Sequence, residues 1–300
     1  MNILITGATG LIGSALQISL TNAGHTLYKM DRSRQSTSPF NWYPPENIIN
    51  FDESKDIHAV INLAGSNISN GRWSEKKKKE IYESRIKSTK LLSETLSKLN
   101  SPPDIFISAS AIGFYGDTEN NEVSEEEPAG NDFLATVAEN WEQATSVAAN
   151  AGIRTVNIRT GIVLSTQGGA LKQMLLPFKL GLGGTVGDGK QYMSWVSIND
   201  VTRIIEFILN TDSIKGPVNM VAPAAVTNYE FTKSLGTALK RPTLFPLPKI
   251  GVRIIFGEMG DALLLTSIRV TPQKLLSHGY HFTNHNLLET LNSLLKNKTD

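Results

Sequence analysis

The chain has 300 residues, 40% hydrophobic and 19% charged, enough for one large α/β domain or a main domain with a smaller lobe. A formal net charge of +1 supplies no basic face for nucleic acid (Lys76 to Lys79 is the densest basic run), and no apolar stretch approaches the roughly 18–20 residues that span a bilayer. Without cysteine there are no disulfides, thiolate nucleophiles or cysteine-rich metal sites; with Asn2 leading straight into a strand, a cytoplasmic protein with no nucleic-acid or membrane partner is expected.

In chain order, Asn2 to Thr6 is a short apolar strand. Leu11, Ile12, Ala15, Leu16, Leu20 and Ala23 recur at helical spacing, and Gly24 stops that helix. Thr26 to Met30 is the second strand. Residues 35–56, with Pro39, Pro44 and Pro45, read mostly as loop with a brief strand near Ile48–Phe51. His58 to Leu63 is the next strand. Ser74 caps a long helix whose face runs Tyr82, Ile86, Thr89, Leu92, Leu96, Leu99. After Pro102 and Pro103 comes the strand Asp104–Ala109, and after the acidic turns of 116–131 a helix carrying Leu134, Val137, Ala138, Trp141, Ala144 and Ala148. Ile153–Ile158 is the following strand. Past residue 165 the alternation breaks: 168–189 holds seven glycines, a helix starts at Asp200, which favours its N-terminus through the dipole, and the chain ends in an amphipathic helix at 287–296. The alternation of strand and helix is that of a parallel sheet with crossover helices.

Gly7, Gly10 and Gly13 form G-x-x-G-x-x-G between the first strand and the first helix. Glycines there let the backbone turn tightly and approach a pyrophosphate, while the helix N-terminus offers unpaired amides. Asp31, at the end of the second strand, is placed to accept hydrogen bonds from an adenosine ribose. Arg32 follows it and, with Ser33 and Arg34, makes a cationic patch suited to a 2′-phosphate. The two residues pull toward different cofactors; the reading is NADP(H), with NAD(H) as the alternative.

Asn62-Leu63-Ala64-Gly65, Arg72-Trp73, Ser84-Arg85 and Thr89 resemble the extended and atypical short-chain dehydrogenase/reductases. With SASAIGFYG (108–116), FLATVAENWE (133–142), RTGIVLS (159–165), GGALKQMLLPFKLGLGG (168–184), GDGKQYMSW (187–195) and FGEMGDALLLTSIRVTPQKLLSHGYHF (256–282), the chain resembles the epimerase family protein branch. The resemblance implies an α/β fold, a doubly wound Rossmann parallel sheet with a smaller C-terminal α/β substrate lobe. Residues 1–165 would form the dinucleotide-binding domain, with 196–222 returning to it, and 166–195 with 223–300 the lobe. It also implies NADP(H), a small-molecule substrate, and a monomer or homodimer. Carried over residue by residue, Gly7, Gly10, Leu11, Ile12 and Gly13 would line the pyrophosphate, and Asp31 and Arg32 the adenosine end. Leu63, Ala64 and Gly65 would pass along the cofactor as backbone, Glu80 and Arg85 would approach it from the next helix, and Val163 would lie near the nicotinamide end.

Reductases of this class use a tyrosine with a lysine four residues later, the cation favouring the phenolate. Here Phe133 and Val137 stand about where those two belong, and neither moves a proton. Tyr229 to Lys233 has the spacing but lies far downstream and is a decoy. Ser110 and Tyr115, at the end of the strand facing the crevice, remain as catalytic candidates. His278, His281 and His285 lack the spacing and partners of a metal site, so no metal is expected. The segment Gly181–Gly189, with Gln191 and Trp195 beyond it, reads as a wall of the substrate pocket. Two functions follow: an oxidoreductase or epimerase-like enzyme acting on a small carbonyl or sugar-like substrate, or a cofactor-bound sensor without the Tyr–Lys dyad.

Overall fold

Strand side chains alternate between two faces and helix side chains return every three to four residues, so this sequence buries its apolar residues only in layers. The computed structural model describes residues 1–34 and 36–296. β1 (Asn2–Thr6), α1 (Leu11–Asn22), β2 (Thr26–Lys29), the hairpin β3 (Phe40–Tyr43) and β4 (Ile48–Phe51), and β5 (Ala59–Asn62) come first. α2 (Glu75–Leu96), β6 (Ile105–Ala111), β7 (Glu122–Val123), α3 (Phe133–Gln143), α4 (Ser146–Asn150) and β8 (Arg154–Thr160) follow. Next are β9 (Ile162–Leu164), α5 (Gly169–Lys179), β10 (Tyr192–Met193), β11 (Trp195–Ser197), α6 (Ile198–Leu209) and β12 (Gly216–Met220). The last elements are β13 (Val226–Thr227), α7 (Asn228–Leu239), α8 (Lys249–Phe256), α9 (Glu258–Gly260), β14 (Arg269–Val270), α10 (Gln273–Ser277) and α11 (Leu287–Lys296).

Six strands make one parallel sheet in the order β12-β8-β6-β5-β1-β2. The chain runs outward from β1 to β2, then returns to lay β5 on the other edge of β1 and continues to β12. The order therefore reverses between β1 and β5, and the C-terminal ends of those strands open the crevice where doubly wound sheets take their ligands. Ile3, Ile5, Ile61, Ile107 and Ile158 pack on α1 and α6 below the sheet, while Leu4, Val60 and Phe106 pack on α2 and α4 above it. Each such side chain contributes about 1.5–3 kcal/mol by leaving water. α5, α7 and α11 enclose a separate cluster around Leu164, Trp195, Phe231 and Leu291.

Four details differ from the sequence reading. The segment taken as loop before Ile48 carries β3, because Phe40 and Trp42 turn inward on Leu4 and Val60 and pin the hairpin. The single helix expected to carry Leu134 through Ala148 is broken at Thr145, where Ser93 enters the ladder: its hydroxyl donates to the Thr145 carbonyl at 3.3 Å and accepts from the Ala148 amide at 2.9 Å. α6 starts at Ile198 under a Ser197 cap, and Asp200 is buried, accepting from Thr283 Oγ1 at 2.9 Å as well as from Ser197. Trp195 is core rather than pocket wall: it is wholly buried, with Nε1 on the Ala224 carbonyl at 3.1 Å. Gln191 is buried too, its amide tying the carbonyls of Val186 and Leu264.

Candidate functional site

The glycines of the first turn do different jobs. Gly7 has φ +65, and a Cβ there would lie 2.7 Å from the Leu63 carbonyl oxygen at the end of β5. A Cβ on Gly13 would lie 2.4 Å from the Gly7 carbonyl oxygen, so only glycine lets α1 sit this close to β1. Gly10 is different. Its φ of −72 suits any residue, and a Cβ would meet only the Gly7 oxygen, at 3.3 Å. The fold does not demand glycine at this position; its missing side chain leaves open space at the start of α1. No side chain caps that helix and its first turn has no acid. The amides of Leu11, Ile12 and Gly13 find no acceptor among the described residues, which is the arrangement an anion completes.

At the adenosine end, Asp31 is fixed by its backbone, with its amide on the Phe40 carbonyl and its carbonyl on the Trp42 amide, both at 2.9 Å. Its side chain is exposed. Arg32 is exposed and takes no partner among the described residues. Arg34 does not join it in a patch: it pairs with Glu46 and lies 4.8 Å from the Tyr43 ring centre, drawn to the hairpin.

Beneath the crevice a polar row crosses the sheet. Thr6, Asn62, Ser108 and Asn157 are register partners on β1, β5, β6 and β8. Thr6 Oγ1 donates to Asn62 Oδ1 at 2.7 Å and accepts the Leu63 amide at 3.1 Å, which sets the path of Leu63, Ala64 and Gly65. Asn62 Nδ2 donates to Thr89 Oγ1 at 2.8 Å, and Trp141 Nε1 donates to the same hydroxyl at 2.9 Å. Buried polar groups at one level of adjacent strands were the signal available in the sequence for Asn62 and Thr89 as positioning residues.

Arg85 lies against that backbone: a Cβ on Gly65 would be 3.2 Å from its Cζ. Its guanidinium donates to the carbonyls of Ile81 and Ser66, both at 3.0 Å, and sits 5.1 Å from the Trp141 ring centre. Burial pulls its pKa down to about 10, and it forms no ion pair among the described residues. Glu80, one turn earlier, is exposed and hydrogen-bonded to Lys77 at 3.0 Å, which holds its carboxyl below the usual range. Val163 is half-buried on β9, in register with Val196, and its carbonyl faces Gly169 at the start of α5.

Ser110 and Tyr115 belong to one network around Arg159, Ser110 through Glu142 and Tyr115 directly. Ser110 Oγ donates to Glu142 Oε1 at 2.7 Å. Arg159 holds both oxygens of that carboxylate, Nε at 2.8 Å and Nη2 at 2.9 Å, and its Nη1 donates to the Tyr115 hydroxyl at 2.9 Å. Tyr115 in turn donates to Asn219 Oδ1 at 2.7 Å. Burial pushes the phenol up to about 12 despite the cation beside it. Both hydroxyl protons are thus directed into the protein. Glu142, Arg159 and Asn219 were missed in the sequence, because register and a long loop, not spacing, bring them together.

On α3, Phe133 meets the Trp73 ring edge-on at 5.4 Å and Val137 is buried with Trp73, Ile81 and Met259. Hydrocarbon occupies the helix face where a Tyr–Lys dyad would act. Tyr229 is 53% exposed on α7, and Lys233 bonds Thr243 Oγ1 at 3.0 Å; neither touches the residues above. Among the described residues, no three histidine or acidic side chains are grouped to hold a metal.

Comparisons with known proteins show the family and the fold. Residues 3–221 match the model of the NAD dependent epimerase/dehydratase family, and residues 247–294 match a domain of unknown function (DUF1731). Epimerase family protein MT2273 of Mycobacterium tuberculosis is 40% identical over 290 residues, 96% of each chain. Epimerase family protein SDR39U1 of Homo sapiens is 35% identical over 291 residues, 94% of this chain and 96% of that one. The crystal structure of the human epimerase family protein SDR39U1 (isoform2) with NADPH superposes with a TM-score of 0.89 at 33% identity, covering 99% of this chain and 100% of that one.

Proposed function

This chain belongs to the NAD dependent epimerase/dehydratase family, and from that premise we propose that it is an NADP(H)-dependent oxidoreductase or epimerase-like enzyme of the short-chain dehydrogenase/reductase type, acting on a small carbonyl or sugar-like substrate. NAD(H) is the alternative cofactor. The observation that carries the reading is the turn 7–13, where two glycines are required by the protein's own backbone and the third leaves room beside three amides without acceptors. The solved human relative with NADPH supports the cofactor choice. In this reading residues 1–165 with 196–222 hold the cofactor, and 166–195 with 223–300 form the substrate lobe.

The cofactor, when bound, supplies or accepts hydride. Gly7, Gly10, Gly13 and the amides of Leu11 and Ile12 hold its pyrophosphate, Asp31 and Arg32 its adenosine end, and the backbone of Leu63 to Gly65 flanks it. Arg85 brings a half-buried cation without a carboxylate, Glu80 a carboxylate on the same helix, and Val163 an apolar side toward the nicotinamide end. Ser110 gives its hydrogen to Glu142, so its oxygen is free to accept one from a substrate hydroxyl, and the Glu142 carboxylate, held on both oxygens by Arg159, is placed to take the serine's proton. Tyr115 bounds the same edge. A second reading, a cofactor-bound sensor, is favoured by the hydrocarbon at Phe133 and Val137.

Gly10→Glu tests the cofactor site, since its carboxylate would fill the open space and repel the pyrophosphate. Calorimetric titration with NADPH should show binding lost in a variant whose circular dichroism is unchanged. Undiminished affinity in a folded variant would refute the assignment.

A further inference from the structure

The substrate lobe carries a surface that the cofactor site does not use. Residues 179–187 run beside 241–247: Arg241 Nε donates to the Lys179 carbonyl at 2.9 Å, the Phe245 amide to Gly183 at 3.4 Å and the Leu247 amide to Thr185 at 2.9 Å. This pairing sets Leu180 and Leu182 next to Leu244 and Phe245, all four between 57% and 72% exposed. α8 follows two residues after Leu247 and adds Ile250 and Ile254, one turn apart and 71% and 68% exposed. Side chains this exposed protrude from the surface, Leu244 at the rim of an adjoining groove. A cluster of protruding aliphatic groups marks a surface that is covered in use.

The groove beside it carries charge of one sign, whereas the acids near α8, Asp188 and Asp261, are paired with Lys249 and Arg253. Lys233, Lys240 and Arg241 line an open groove of about 460 Å³ whose other walls are Gly236, Thr237, Pro242, Thr243 and Leu244, with no carboxylate. None of those three cations, nor Lys179, forms an ion pair among the described residues. A second copy packed on this face by a twofold axis would crowd like charges together. A layer of phosphate headgroups would instead neutralise the cations while the aliphatic side chains enter the acyl boundary. No helix of the described residues is long and apolar enough to cross a membrane, and docking on a surface needs none.

We infer that the face formed by residues 180–182, 244–245 and the outer side of α8 docks on an anionic lipid surface, with a headgroup phosphate in the groove between Lys233, Lys240 and Arg241. The test is co-sedimentation of the full chain, loaded with NADPH, with vesicles of pure phosphatidylcholine and vesicles containing one-third phosphatidylglycerol. Binding is expected to the anionic vesicles alone and to weaken as salt rises. Lys240→Ala with Arg241→Ala should weaken it about 30-fold, roughly fivefold for each cation near the surface. Leu244→Ser with Phe245→Ser should weaken it at least as much. NADPH titration of both variants reports separately on the cofactor site. Equal binding to both vesicle types, no binding to either, or binding indifferent to both variants would overturn the proposal. A concentration-dependent dimer abolished by the Leu244/Phe245 variant would assign the face to a second copy and overturn it as well.

Discussion

Arg32 and Tyr115 show how differently exposed and buried groups report on the site. Arg32 has no partner among the described residues, so its removal costs the fold little and any effect belongs to a ligand. Arg32→Ala should weaken NADPH by about 1.5–3 kcal/mol, the range for a hydrogen bond to a charged group, and leave NADH nearly unchanged. Equal loss for both cofactors in parallel titrations would make Arg32 an adenine contact. Tyr115 is the opposite case. Its phenol titrates at about 12 in the folded chain against an ordinary value of 10.0. Between those values the unfolded chain gives up this proton and the folded chain keeps it. The contribution is therefore whole below pH 10 and is lost as pH rises toward 12, on the order of 2–3 kcal/mol in all. Tyr115→Phe should be less stable at neutral pH, because Arg159 and Asn219 lose a partner, and its deficit should shrink on the alkaline side. Urea midpoints measured from neutral to about pH 12 would show the two curves converging; parallel curves would mean that Tyr115 does not titrate in the folded chain as described.

At the scale of elements, the turn 7–13 separates what the fold demands from what the proposed cofactor site demands. Gly13→Ala forces a methyl group against the Gly7 carbonyl at the point where α1 meets β1. It should cost about 1–3 kcal/mol or more by overpacking, whereas Gly10→Ala, at an ordinary φ, should cost under about 1 kcal/mol. Comparing denaturation midpoints of the two variants checks this, and equal losses would mean the helix shifts to admit the Gly13 methyl. The same turn was fully legible in the sequence, because glycine spacing, an apolar strand and a helical repeat all lie within 22 residues. Crossover helices were legible from their periodicity for the same reason. The hairpin at Phe40 was not, since serines and prolines flank two inward aromatics too short a run to show alternation. The break at Thr145 was hidden because Ala144 and Ala148 continue the apolar spacing straight through it, and its cause, Ser93, is 52 residues away. The hydroxyl network around Arg159 was equally hidden: Tyr115, in the turn after β6, and Asn219 on β12 are 104 residues apart and meet only in the folded chain.

For the whole molecule, the proposed lobe and the sheet are tied at points far apart in sequence, and this predicts how the chain unfolds. The C-terminal segment reaches from the proposed lobe to the sheet: Leu275 and Tyr280 pack into the core beneath it with Ile5, Val218 and α6. Asp200 on α6 accepts from Thr283 Oγ1 at 2.9 Å and from the Thr283 amide at 3.3 Å. Near the crevice, the Arg72 guanidinium binds the carbonyls of Ile254 and Ile255 at the end of α8, and Lys78 on α2 pairs with Glu258 at 2.7 Å. The surface pair contributes at most about 1 kcal/mol, whereas the buried donors to Asp200 and the apolar packing of Leu275 and Tyr280 contribute several. The lobe therefore cannot open fully without disturbing the core under the sheet. Far-UV circular dichroism and tryptophan fluorescence, the latter sampling Trp42 beside the sheet and Trp195 in the lobe, should give one coincident denaturation transition. Thr283→Val, remote from the cofactor turn, should lower both midpoints together by removing a donor to a buried carboxylate. NADPH at about 100 times its Kd should raise both together by about 2.7 kcal/mol. Two separated transitions, with NADPH moving only one, would show instead that the lobe folds independently and that the Asp200 contacts do not couple it to the sheet.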